Sequence, residues 1–201
     1  MTLATKLTLA RVAAIPVFIA AFTWNEGTLT NDWGKITATI VFIIAAITDY
    51  YDGAMARFYK EETTFGKFID PIADKLLVSS ALIVLVEYRT ISCIPSWAAA
   101  VIISREFAVT GLRLLGAPKG MSVEASSFGK WKTATQLISI ITTLVFICFR
   151  VLFETYNIDS FKAVFFKIYN PTILILLYAA VIMTVLSGYD YFKKNWHLLD
   201  E

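Results

Sequence analysis

No linker, low-complexity tract or composition break interrupts the 201 residues. That excludes a second soluble domain and predicts one domain over 1–201. No internal repeat is visible, which counts against a transporter built from inverted halves. No small-residue cleavage site follows the first apolar run, so no removable signal is expected. Cysteine is scarce: Cys93 and Cys148 both fall near helix ends on one side, where a disulfide is allowed but nothing demands it. Net charge is only +2, which by itself says little about partners; no nucleic acid is expected.

Apolar residues, by contrast, are abundant. They make up 57% of the chain, against roughly 45–50% in a soluble domain. The apolar runs fall near 9–24, 34–51, 75–88, 94–115, 134–153 and 171–189. About 20 residues are needed to cross ~30 Å of hydrocarbon, so several runs suffice only with their polar flanking turns. The expectation is an all-α integral membrane protein, because an open backbone cannot span lipid. It should have six transmembrane helices behind a short interfacial segment at 2–11. With the N-terminus inside, Lys6, Arg11, Arg57, Lys60, Lys67, Lys75, Arg105, Arg113, Lys119, Lys130, Lys132, Lys193 and Lys194 lie at inner ends. Only Lys35, Arg89, Arg150, Lys162 and Lys167 stay outside, as the positive-inside rule requires.

Turn residues at 25–33 predict an outer loop, and 60–68 an inner one. Pro71, Pro95 and Pro171 are each expected to open a helix. Residues 155–170 carry Phe161, Val164, Phe165 and Ile168 at helical spacing and are expected to lie along the outer surface. Trp24, Trp33, Trp97, Tyr156 and Tyr169 fall near span boundaries, as an aromatic belt would.

Chemistry concentrates where the second and third runs meet polar sequence. Asp49-x-x-Asp52-Gly53-x-x-Ala56-Arg57 is followed by Gly66-x-x-x-Asp70-x-x-x-Asp74. Asp49 and Asp52 share one helix face with ~4.5 Å of rise between them, and Asp70 and Asp74 share a face of the next helix. A short connection makes the two helices antiparallel neighbours, so the four acids can converge. Like charges that close need neutralising. Hard divalent cations with oxygen ligands, Mg²⁺ or Mn²⁺, do this, and four carboxylates suit two ions. Gly53, Ala56 and Gly66 clear space for a group approaching the backbone, while Arg57 offers a donor fork for phosphate or steadies an aspartate. One acid at a helix end is an ordinary cap or interfacial residue. Such caps would not fill the whole set at fixed offsets.

This run resembles the signature of the CDP-alcohol phosphotransferase family, D-x2-D-G-x2-A-R-x8-G-x3-D-x3-D, with every fixed position filled. The likeness extends over most of the chain. The stretch from Arg105 through Glu106 to Arg113, the Gly129-Lys130-x-Lys132-Thr133 segment, and Leu7-Thr8-x-x-Arg11 with Pro16 following are similar to the bacterial branch that makes phosphatidylglycerol phosphate. Ala4-Thr5 departs from the Pro-Asn that relatives often carry. The resemblance implies transfer of a phosphatidyl group from CDP-diacylglycerol to an alcohol, with release of CMP, by a homodimer in the bacterial cytoplasmic membrane. Asp49, Asp52 and Asp70 would hold metals and the donor diphosphate. Asp74 would deprotonate the acceptor hydroxyl and also touch the second metal, and Gly53, Ala56 and Gly66 would admit the cytidine nucleotide.

Basic residues outside the signature should choose the alcohol. Arg105 and Arg113 lie on the predicted fourth helix, and Lys130 and Lys132 start the fifth. Such a cationic pocket suits an acceptor bearing its own phosphate. Glycerol 3-phosphate fits that argument and the family branch; inositol phosphate competes, and free serine needs fewer cations. The two lysines also suit plain anchoring at anionic headgroups of membrane lipid. A divalent-cation transporter would place its acids near mid-membrane, not at inner helix ends. A non-catalytic lipid-binding scaffold would not need Asp74.

Overall fold

The computed structural model describes the backbone of residues 3–25, 29–59, 64–116 and 127–195. The side chains of 49–71, Asp74 and Arg113 lie outside the described residues. Seven helices and no strand are found among the described residues: α1 Leu3–Thr23, α2 Trp33–Tyr59, α3 Thr64–Glu87, α4 Arg89–Ser92, α5 Ser96–Gly116, α6 Ser127–Thr155 and α7 Asp159–Lys194.

The six long helices run alternately up and down. Leu7, Ala10, Arg11 and Ala14 of α1 share a cleft with Val41, Ile44, Ala45 and Thr48 of α2, so the start of one lies beside the far half of the other. Phe22 meets Tyr88 just beyond α3 edge to face, which sets α3 parallel to α1. Arg105 reaches Ser187 and Trp97 packs near Tyr178, so α5 and α7 run parallel, with α6 returning between them. One end of the bundle therefore carries the acidic signature, and the other carries α4 and the turns around residues 30 and 157.

The interior is dry and close-packed. Phe18, Phe22, Phe42, Leu82, Leu85, Ile102, Ile140, Leu144 and Ile147 are fully buried. Ala38, Ala81, Ala98 and Ala180 let backbones approach where they touch. The outside is equally apolar: Val17, Ile44, Ile83, Phe107, Ile138, Ile175 and Ile182 are each more than half exposed. A water-facing surface rarely carries such side chains on every long helix. Two helices, over Gly129–Thr155 and Val164–Lys194, are long and apolar enough to cross a membrane. Shorter apolar stretches among the described residues are Leu7–Thr23 of α1 and Trp33–Thr48 of α2. Between lipid-facing helices, dispersion packing and interhelical hydrogen bonds hold the fold more than the hydrophobic effect does.

Several boundaries differ from the sequence reading. Residues 3–11 are continuous with the first helix, not a separate segment, and Thr8 and Arg11 are buried. Pro71 lies inside α3 and Pro171 inside α7, where neighbouring helices compensate the missing N–H. Pro95 does precede its helix, its carbonyl accepting from Ala98 and Ala99. The 155–170 stretch does not lie along the surface as a separate segment. From Asp159 it belongs to α7 and packs on α6, with Phe165 against Phe146, Phe149 and Phe153. Tyr169 leaves the expected belt: its ring is buried beside Phe146 and Phe166, and its hydroxyl donates to the Ile91 carbonyl. Trp24, Trp33, Trp97 and Tyr156 are exposed, as expected of belt residues. No disulfide forms. The Cys93 thiol donates to Asn170 Oδ1 (3.3 Å) and the Cys148 thiol to Thr39 Oγ1 (3.1 Å). Burial pushes the Cys93 thiol above its ordinary pKa.

Polar clamps close the end opposite the signature. Asp32 accepts from the Lys35 backbone N–H at 3.4 Å, capping α2, and its other oxygen takes the Lys35 ammonium. That ammonium also lies 5.4 Å from the Phe22 ring centre and 5.1 Å from that of Tyr88. The lysine expected in an outer segment is thus a buried half of an ion pair. Asp32→Ala is expected to lower the thermal midpoint in detergent sharply, since removing one partner of such a pair costs ~3–5 kcal/mol. Adding Lys35→Met should recover much of that loss. Equal midpoints for wild type and Asp32→Ala would show that the pair contributes nothing.

Candidate active site

By helical register the signature aspartates share strips with buried residues of α2 and α3. At 100° per residue, Ala38, Phe42, Ala45, Asp49 and Asp52 fall within a strip about 80° wide along α2. The first three are buried, and Phe42 meets Phe18 of α1 with ring centres 5.7 Å apart. On α3, Asp70 and Asp74 share a strip about 60° wide with Leu77 and Ala81, again buried. By register both pairs extend these rows toward one end of the bundle; their side chains lie outside the described residues. Four residues separate Tyr59 from Thr64, so the adjoining ends of α2 and α3 are at most ~18 Å apart. Helix α1 packs along both. Gly53, Ala56 and Arg57 occupy the last turns of α2 and Gly66 the first turn of α3; their side chains lie outside the described residues.

The expected cationic residues separate into two groups. Arg105 and Lys132 come together from α5 and α6 around one carboxylate, that of Glu106. Its Oε1 accepts from the Lys132 ammonium and lies 3.6 Å from Arg105 Nη1. Arg105 Nη2 donates to Ser187 Oγ of α7 at 2.7 Å. Glu106 is 8% exposed and Lys132 5%, so three helices pin these charges inside the bundle. Lys130 is exposed, because two residues along a helix turn the side chain by ~200°. Arg113 lies on the same row of α5 as Ile102, Glu106 and Val109 by helical register; its side chain lies outside the described residues.

A buried polar seam extends from this cluster. Lys132, Gln136, Ser139 and Thr143 follow one another at helical spacing on α6, all buried. Gln136 Nε2 donates to Thr184 Oγ1 of α7 at 2.9 Å, and that hydroxyl donates to the Ala180 carbonyl at 2.6 Å. Polar side chains inside a lipid-embedded bundle turn to one another and mark functional interiors. Glu106, Gln136, Thr184 and Ser187 were not among the expected site residues. The i, i+4, i+7, i+11 spacing of polar residues within an apolar run of α6 was a signal for the seam. Among the described residues no group of three acids, histidines or cysteines could hold a metal; the four aspartates of the signature lie outside that search.

Bundle, signature and cationic cluster together define a transferase acting on CDP-activated alcohols. The model of the CDP-alcohol phosphatidyltransferase family matches residues 1–186, and the chain belongs to that family. A CDP-diacylglycerol–glycerol-3-phosphate 3-phosphatidyltransferase of Bacillus subtilis is 44% identical, with 96% of this chain and 95% of the relative covered. One of the same name from Rickettsia bellii is 34% identical, over 93% and 91%. A third, from Arabidopsis thaliana, is 34% identical over 99% of this chain and 82% of its own length.

Proposed function

We infer that the chain transfers the phosphatidyl group of CDP-diacylglycerol to glycerol 3-phosphate, giving phosphatidylglycerol phosphate and CMP. It would do so from six membrane spans, as a homodimer, with the signature end facing the cytoplasm of a bacterial cell. The relatives' shared name supports this acceptor. The observation that carries it is the Arg105–Glu106–Lys132 cluster, in which a buried carboxylate sets two cations of different helices side by side.

In this reading Asp74 takes the proton of the acceptor hydroxyl. The freed oxygen attacks the phosphorus that bears the diacylglycerol, and the bond to the CMP oxygen breaks, its electron pair leaving with CMP. Asp49, Asp52 and Asp70, with Asp74 at the edge, are hard oxygen donors and fit Mg²⁺ or Mn²⁺. Two such ions, when bound, neutralise the diphosphate and the leaving group. Arg57 holds a phosphate oxygen. Gly53, Ala56 and Gly66 leave room for the nucleotide. Arg105 and Lys132, joined by Arg113 and by Lys130 at the mouth, hold the acceptor phosphate. The remaining work is positioning and charge neutralisation, which suits preorganised donors in a water-poor site.

An acceptor screen in detergent tests the reading, with radiolabelled CDP-diacylglycerol and glycerol 3-phosphate, inositol 1-phosphate or serine. Lipid product with glycerol 3-phosphate, at least tenfold above the others, is the expected result. Product with inositol 1-phosphate alone would reassign the acceptor. No CMP release with any of them would favour a cation path instead.

A further inference from the structure

We propose that Glu106 and Ser187 are positioning residues of the acceptor site, which hold Arg105 and Lys132 in the geometry that grips the acceptor phosphate. The proposal rests on the acceptor reading above and adds to it the groups that make the pocket rigid.

Arginine and lysine carry long stems, and each gives up rotamer entropy when fixed. Cations left to find the phosphate by themselves would lose that entropy on every binding event. Here much of it is lost on folding. The Glu106 carboxylate sits one residue from Arg105 on α5 and takes the Lys132 ammonium from α6, so a single acid fixes the spacing of two cations. Ser187 holds the other arm of the guanidinium from α7 at 2.7 Å. Gly188 leaves room for the stem: a Cβ there would lie 3.2 Å from Arg105 Cγ, so a larger residue would make the arginine shift by a few tenths of an ångström. The carboxylate also lessens the repulsion between two cations that would otherwise face each other across an apolar interior.

A merely structural ion pair predicts something different from a positioning device. It would lower the stability of every state alike, and leave the acceptor KM no more affected than the donor KM. The test is steady-state kinetics of the full-length enzyme in detergent, varying glycerol 3-phosphate and CDP-diacylglycerol separately. Glu106→Gln keeps the shape and removes the charge. It should raise the glycerol 3-phosphate KM about tenfold, the low end of a charge-assisted hydrogen bond, with the CDP-diacylglycerol KM within about twofold. Glu106→Asp should recover part of that loss. Ser187→Ala, a small change at a packed position, should raise the acceptor KM severalfold by freeing the guanidinium, and serves where Glu106→Gln folds poorly. An acceptor KM unchanged or lowered in both Glu106→Gln and Ser187→Ala, while Arg105→Ala still raises it, would overturn the proposal and leave the acceptor site standing. If Arg105→Ala and Lys132→Ala also leave that KM unchanged, the acceptor site itself is misplaced and the proposal falls with it.

Discussion

An Asp74→Asn enzyme is expected to bind CDP-diacylglycerol almost normally and to release CMP about 10²–10⁴-fold more slowly, the usual cost of losing a general base. The substitution keeps the size of the side chain and removes the proton acceptor. Asp74 is the member of the set set deepest along α3, on the row that continues into Leu77 and Ala81, one turn beyond Asp70. The measurement is initial rates of CMP release at saturating glycerol 3-phosphate, with the donor KM taken from the same titration. A fall in kcat with the donor KM nearly constant fits proton transfer. A donor KM raised in step with the lost rate would instead make Asp74 chiefly a metal ligand. Unchanged kcat would remove it from the chemistry.

The helical rows that lead to the signature were more legible in the sequence than the details around them, and the reasons are physical. Spacings of three and four residues are the helix period itself, so Asp49, Asp52, Asp70 and Asp74 could be assigned to shared faces before any fold was known. The core rows of Phe42, Ala45, Leu77 and Ala81 carry the same period. Helix ends were less legible. Proline was read as a start signal at positions 71 and 171, but both lie inside helices, since packing against neighbours outweighs a lost N–H. Depth was also hidden. Lys35 looked like an outer-segment charge because nothing local shows that Asp32, Phe22 and Tyr88 enclose it. Lys130 and Lys132 looked like a pair, yet the helix turns them to opposite sides, one exposed and one buried. Glu106 served only as a hint that Arg105 faced inward. Its meeting with Lys132 depends on how α5 and α6 pack, which no local pattern encodes.

Chelation should silence the enzyme completely. With EDTA in excess, CMP release is expected to fall to background, and Mg²⁺ or Mn²⁺ added back should restore it. The two helices that carry the acids have adjoining ends at most ~18 Å apart. In the absence of cations, carboxylates converging there would repel one another in a region poor in water. The same charge balance predicts a readout that does not depend on turnover. A ligand that binds only the folded state stabilises it by RT ln(1 + [L]/Kd), about 2.7 kcal/mol at a hundred times Kd. Mg²⁺ or Mn²⁺ should therefore raise the thermal midpoint of the detergent-solubilised protein. Asp49→Asn and Asp70→Asn should each blunt that rise. These two variants test opposite walls of the site, one on α2 and one on α3. A blunted rise in only one of them would mean that the acids do not act together across the two helices. Chelator-resistant turnover, with no midpoint shift on adding metal, would remove divalent ions from the site and leave the aspartates needing another positive partner. Arg57, one turn past Gly53 on α2, would then be the nearest candidate in sequence.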